Sequence, residues 1–152
     1  MSSKPYRVKI EVIVKKGNKV MLCNFRNGKW FGFPGGGVEE GDSYEETAKK
    51  ECLEEVGVVI YKVRALELDK KFPVNADMKD NRAEKYAGTH KHFYVADFLG
   101  IDDSDLGGED GEIVPYEWVS IDEAYRKVIL NTLDGHGAFR GEALMKMKSE
   151  GL

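Results

Sequence analysis

Gly36-Gly37-Val38-Glu39-Glu40-Gly41-Asp42, Ser43-Tyr44-Glu45-Glu46-Thr47-Ala48-Lys49-Lys50 and Glu51-Cys52-Leu53-Glu54-Glu55-Val56-Gly57-Val58 form one continuous stretch. It reads as a glycine-rich loop running into a helix. Ser43 with Glu46 three residues later is a capping box, closing orphan amides at the helix start. Gly57 supplies the stop, because glycine accepts the left-handed conformation at little cost. Tyr44, Ala48, Cys52 and Val56 recur every four residues as a core-facing stripe. Glu51, Glu54 and Glu55 flank that stripe at i, i+3 and i+4, so they share about 100° of helix surface. Like charges at that spacing repel by about 0.3 kcal/mol per pair. The helix dipole also disfavours anions at this end. A solvated acidic face is one reading of such a run. A hard divalent cation held by the three carboxylates is the other.

The residues just upstream favour the cation. Phe33-Pro34-Gly35-Gly36-Gly37 strips side chains from the backbone before the helix, which permits close approach of a ligand or metal. Loop and helix together resemble the Nudix box, Gly-x5-Glu-x7-Arg-Glu-U-x-Glu-Glu-x-Gly-U, with U a bulky apolar residue. Aligned on it, Gly36 is the first glycine, Glu51 the catalytic-helix glutamate, Glu54 and Glu55 the paired carboxylates, and Gly57-Val58 the close. Three positions depart. Asp42 stands one methylene short of the family's glutamate. Lys50 replaces the arginine, keeping the charge and losing the planar fork. Cys52 takes the apolar position as a small hydrophobe. None of these reverses a charge, so the resemblance still implies an active site.

The resemblance implies hydrolysis of a phosphoanhydride in a nucleoside diphosphate linked to a further group. Its cofactor would be Mg²⁺, with Mn²⁺ as a substitute, since carboxylate oxygens are hard ligands. Glu54 and Glu55 would hold the metal, helped by Glu51 and the carbonyl of Gly35. A fourth carboxylate often arrives from a later loop. Glu112 is the candidate, six residues before Trp118, with Glu109 and Asp110 as rivals. Glu51 is the preferred base, with Lys50 beside it, and a carboxylate from 109–112 competes for that role. Arg26, Gly36 and Gly37 are assigned to substrate, Arg26 because guanidinium grips phosphate bidentately. By the resemblance Lys9 and Lys29 border the same groove, but they read first as solvated surface charges. Trp30, Phe31 and Tyr94 are either stacking partners for a base or core. His90, His92 and His136 show no ligand spacing and read as structural or solvated.

At 152 residues, 41% hydrophobic and 33% charged, the chain fits a single globular domain spanning 1–152. No apolar run is long enough to cross a membrane. Met1-Ser2-Ser3-Lys4-Pro5 lacks the apolar core of a secretory signal, and Cys23 and Cys52 read as reduced structural thiols. Both point to a cytoplasmic protein without a membrane partner. A net charge of −4 argues against nucleic acid as a sequence-independent partner. It leaves a small nucleotide open, because a bound cation inverts the local field. Family members pair through sheet edges or loops, so the resemblance also admits a homodimer.

Val8 to Val14 alternates with Arg7, Lys9 and Glu11 as a half-buried strand. Val20 to Phe25 is a second strand, and Asn27-Gly28 a hairpin turn of the left-handed type. Val58 to Leu68, His92 to Phe98 and Ile113 to Val119 are further strands. Ser120 with Glu123 opens a helix ending near Leu130, and Ala138 to Lys148 is a last one. From Asp69 to Lys91 the pattern fails, which predicts either a long loop over the site or disorder in the free protein. The expected fold is α/β, a mixed β-sheet between helices in the α/β/α sandwich of the Nudix family.

The resemblance is to the compact, MutT-like members of the family, which implies a nucleoside triphosphate or modified nucleotide cleaved to monophosphate and pyrophosphate. ADP-ribose or a nucleotide sugar is the sister reading, because Pro73, fifteen residues beyond Val58, resembles a placement in ADP-ribose-cleaving members of the family. A non-catalytic nucleotide-binding module is the reading from a different class, disfavoured because the box keeps its carboxylates. An isoprenoid diphosphate isomerase would need a cysteine motif that the surroundings of Cys23 do not resemble.

Overall fold

A run of apolar residues through Tyr6–Lys16 places β1 in the middle of the sheet. In the computed structural model, which describes residues 4–74, 85–108, 113–130 and 135–152, Ile10 through Val14 are all buried. The strand was expected to expose one face. Both faces are instead covered, and Glu11 is buried with its apolar neighbours.

β1 pairs in parallel with β6 (Gly88–Ile101), which pairs antiparallel with β5 (Val58–Pro73). On its other side β1 serves two partners. Its C-terminal end meets β2 (Lys19–Phe25) only at Lys15 and Lys16, whereas Lys9 to Glu11 pair with β4 (Gly35–Gly37). β2 continues the sheet to β3 (Trp30–Gly32) and also pairs with β7 (Tyr116–Ser120). One parallel pair among antiparallel ones gives the expected mixed sheet. The glycines expected as loop are therefore strand, and the sheet forks where β1 leaves β2 for β4.

α1 (Tyr44–Val56) covers one face through Ala48, Cys52 and Val56. α2 (Ile121–Val128) and α3 (His136–Glu150) cover the other with Ala124, Val128, Phe139, Ala143, Leu144 and Met147. Phe93 and Val95 face the α2–α3 layer, Tyr94 and Ala96 the α1 layer. The α/β/α sandwich expected from the sequence is present. Both capping boxes form: Ser43 Oγ accepts the Glu46 amide at 3.0 Å and Ser120 Oγ the Glu123 amide at 3.1 Å. Gly57 closes α1 at φ 65°, its amide donating to the Leu53 carbonyl.

Of the long loop expected at 69–91 the two ends are strand, and residues 75–84 lie outside the described residues. Lys70 to Pro73 pair with Gly88 to Lys91, so both strands run on through it. Two causes hid this. β5 is an edge strand, where lysines and a terminal proline are tolerated because one side carries no ladder. Register shifts at Val59/Ile60, Tyr61/Arg64 and Ala65/Asp69 also break the alternation that would have marked the strand. No helix among the described residues is long and apolar enough to cross a membrane.

Candidate active site

Two joined cavities open at the fork between β1 and β4. The first, about 250 Å³, is lined by Arg7, Lys9, Gly35 to Gly37, Glu39, Gly107 and the α1 glutamates Glu51, Glu54 and Glu55. The second, about 290 Å³, shares Lys9, Gly35, Gly36 and Glu55 and continues to Phe25, Arg26, Trp30, Glu11, Lys91 and Arg140. One arm is thus acidic, and the other is aromatic with a charged floor.

The acidic arm is built by α1 and β4 together. The Gly35 amide donates to Glu55 Oε1 at 2.9 Å, fixing that carboxylate against the strand. At Gly36 a Cβ would lie 2.6 Å from the Glu51 carboxyl carbon, so only glycine lets the acid reach the strand. Gly37 lines the same arm. The α1 end carries no basic side chain in its last turn. Its carbonyls are met by main chain instead: the Gly107 amide donates to Glu54 O at 2.7 Å and the Val114 amide to Glu55 O at 2.9 Å. Three half-buried carboxylates beside glycine backbone are an all-oxygen donor set, which fits a hard dication such as Mg²⁺ or Mn²⁺.

Lys50 is exposed and lines neither arm. Glu39 first, then Glu54, raise its ammonium above the ordinary lysine value, with smaller contributions from Glu51 and Asp42. Arg26 lines the second arm, its guanidinium 5.0 Å over the Trp30 ring, and Trp30 stacks on Phe25 at 5.3 Å and 13°. Lys9 joins both arms, while Lys29 lines neither. Phe31 packs on the α2–α3 core. Tyr94 packs edge-on against Tyr44 in the α1 layer, so both belong to the core. Glu112, with Glu109 and Asp110, lies outside the described residues. Cys23 and Cys52 are free and buried, and burial followed by the Glu55 charge pushes both thiols well up.

The floor of the second arm was not anticipated. Glu11 accepts from Arg140 Nε at 2.8 Å and Nη2 at 3.1 Å, and it meets Lys91 Nζ at 2.5 Å. Lys91 Nζ also lies 2.8 Å from His136 Nδ1. Burial alone would raise the Glu11 carboxyl, but Arg140 and then Lys91 outweigh it and hold it well below the usual carboxylate range. Arg140 Nη1 is buried without a hydrogen-bond partner among the described residues. The one sequence signal was an acid inside the apolar run Ile10 to Val14. Its partners, on β6 and α3, could not be paired with it from one sequence. Arg7 and Glu39 were also passed over; both look like ordinary surface charges.

Comparison with known proteins places the fold. An RNA pyrophosphohydrolase from Erythrobacter litoralis (strain HTCC2594) is 29% identical over 103 residues, covering 63% of this chain. The match spans 62% of that relative's length. A NUDIX hydrolase from Nitrosomonas europaea superposes with a TM-score of 0.67 at 15% identity, covering 95% of this chain and 90% of that one. An ADP compounds hydrolase gives 0.66 at 21% identity, covering 97% and 76%. The E. coli dihydroneopterin triphosphate pyrophosphohydrolase gives 0.63 at 14%, covering 97% and 99%. At such identities these structural likenesses are likenesses of fold. The NUDIX domain profile, however, matches residues 5–138, nearly the whole of the described fold including β4, α1 and the carboxylates, and the chain belongs to the NUDIX domain family.

Proposed function

We propose that this chain hydrolyses a phosphoanhydride in a nucleoside diphosphate linked to another group. The leading substrate is a nucleoside triphosphate or modified nucleotide, cleaved to monophosphate and pyrophosphate. The observation that carries the reading is the joining of the two arms through Lys9, Gly35, Gly36 and Glu55. A ligand with an anionic chain at one end and an aromatic base at the other matches that cleft. Glu51, Glu54 and Glu55, with the Gly35 carbonyl, would hold Mg²⁺ or Mn²⁺. When bound, the ion offsets phosphate charge and acidifies water.

The remaining work falls to side chains of the chain itself. Glu51 takes a proton from the attacking water as its oxygen bonds to phosphorus and the bridging P–O bond breaks. Arg7, Lys9 and Arg26 line the path of the phosphates, each as a charge-assisted donor. Trp30 and Phe25 offer an aromatic face to the base. The buried Nη1 of Arg140 is a donor in want of an acceptor on the floor of that arm.

ADP-ribose or a nucleotide sugar is the second reading, since a diphosphate joining a base to a sugar also fits the two joined arms. Pro73 lends it nothing, since it ends β5 opposite Gly88 and lines neither arm. Nucleoside triphosphates, oxidised nucleotides, ADP-ribose, nucleotide sugars and a 5′-triphosphorylated oligoribonucleotide, each incubated with Mg²⁺, separate these readings by product mass. Monophosphate and pyrophosphate from a free triphosphate is the expected result. Turnover of none, despite binding, would leave a nucleotide-binding module instead.

Lys50→Arg isolates the role of the amine. Lys50 is solvent-exposed and lines neither arm, and arginine keeps its charge, so kcat is expected to hold within about twofold or to rise. Steady-state kinetics showing a large loss would assign the ammonium a separate function.

A further inference from the structure

Strand register brings three ligand-bearing side chains together on the α1 face of the sheet, away from the cleft. Asp69 on β5 pairs directly opposite His92 on β6, and His90 precedes His92 by two residues on the same strand. Residues two apart on a strand share a face, and directly opposed residues hold their Cβ atoms about 5 Å apart. One ligand atom from each of Asp69, His90 and His92 lies within 4.8 Å of the other two. His90 Nε2 and Asp69 Oδ2 are 2.6 Å apart, and the two imidazole centroids 4.3 Å. Tyr44, from the first turn of α1, walls one side with its ring 5.2 Å from that of His92. None of the three residues lines either arm of the cleft.

We propose that Asp69, His90 and His92 form a second cation site, separate from the glutamates of α1 and selective for a borderline ion of the zinc class. The donor set decides the ion. Two imidazoles and one carboxylate suit Zn²⁺, Co²⁺ or Ni²⁺, whereas Mg²⁺ prefers the all-oxygen set of the cleft. Three protein ligands leave further positions to solvent, as on any open zinc site. Tetrahedral ligands at about 2.0–2.1 Å from an ion stand about 3.3 Å from each other. The spread of up to 4.8 Å brackets that value. The His90–Asp69 contact needs only to open slightly, and the Asp69 side chain is 53% exposed and free to turn. Spacing along one strand hides such a site, because the third ligand arrives from the neighbouring strand beyond the Ala65/Asp69 register shift. A bound ion would tie the irregular edge strand β5 to β6.

Calorimetric titration of the full chain with Zn²⁺, in millimolar Mg²⁺ throughout, tests the assignment. Uptake of one ion per chain is expected. His90→Ala and His92→Ala should each weaken it by more than about a hundredfold, beyond the loss of an outer-shell partner. Glu54→Gln should leave it unchanged. Asp69→Asn, at an exposed position, guards against misfolding of the histidine variants and should also weaken uptake. Co²⁺ should give visible d–d bands that disappear with the same three variants. No uptake, uptake that survives the histidine substitutions, or uptake lost with Glu54→Gln would each overturn the site.

Discussion

Glu54→Gln is expected to lower kcat about a thousandfold, the equivalent of roughly 4 kcal/mol of transition-state stabilisation. Glutamine keeps the shape and removes the charge, so what is lost is the grip on the dication and on the phosphate charge it offsets. Stability should move the other way. Glu54 shares one helix face with Glu51 and Glu55 at the end where the dipole disfavours anions, and no basic residue sits in that last turn. Without metal the thermal midpoint of Glu54→Gln should therefore equal or exceed that of the parent. Parent and variant are compared by phosphate-release kinetics and by thermal melts with and without Mg²⁺. Near-normal turnover would remove Glu54 from the metal-holding role. A fall in the metal-free midpoint would mean that the carboxylate serves the fold instead.

Glu11→Gln is expected to cost about 3–5 kcal/mol of stability, a fall of roughly 10 °C in thermal midpoint. The substitution leaves Arg140 and Lys91 buried around a neutral amide. Removing one member of a buried ionic cluster is far more damaging than never having built it, because the remaining charges lose their compensation. The folded carboxyl titrates below the usual range, so its contribution is fully present above the unfolded value. It fades as pH falls from about 4.3 toward the depressed folded value. The gap in midpoint between parent and Glu11→Gln should hold from neutrality to about pH 5 and narrow in stronger acid. Calorimetry across that range checks it; a gap that widens in acid would refute the ion-pair account.

Helix α1 was legible because everything that specifies it is local. Ser43, Glu46, Gly57 and the four-residue stripe lie within a few turns of one another, and each did what its spacing required. The same holds for Ser120 and Glu123. Legibility failed where the information is held by a distant partner. Gly35 to Gly37 read as loop because β-propensity gives no credit to glycine, yet pairing with β1 makes them strand. Asp69 to Pro73 read as loop because bulges and edge position erased the alternation. Glu11, Lys91 and Arg140 are each unremarkable alone; only the parallel register of β1 with β6 and the docking of α3 join them. Among the candidate site residues, those on the box converge on the acidic arm, while Lys50 points to solvent.

The amides of Gly107 and Val114 grip the carbonyls of Glu54 and Glu55 at the end of α1. Main-chain amides are common to every residue except proline, so the second of these bonds does not depend on the side chain at Val114. The bearing of Glu54 and Glu55 is thus set by backbone, and side chains that line the arm from other elements, such as Arg7 and Glu39, can change without turning the helix. Selectivity and catalytic geometry are thereby free to evolve on separate clocks.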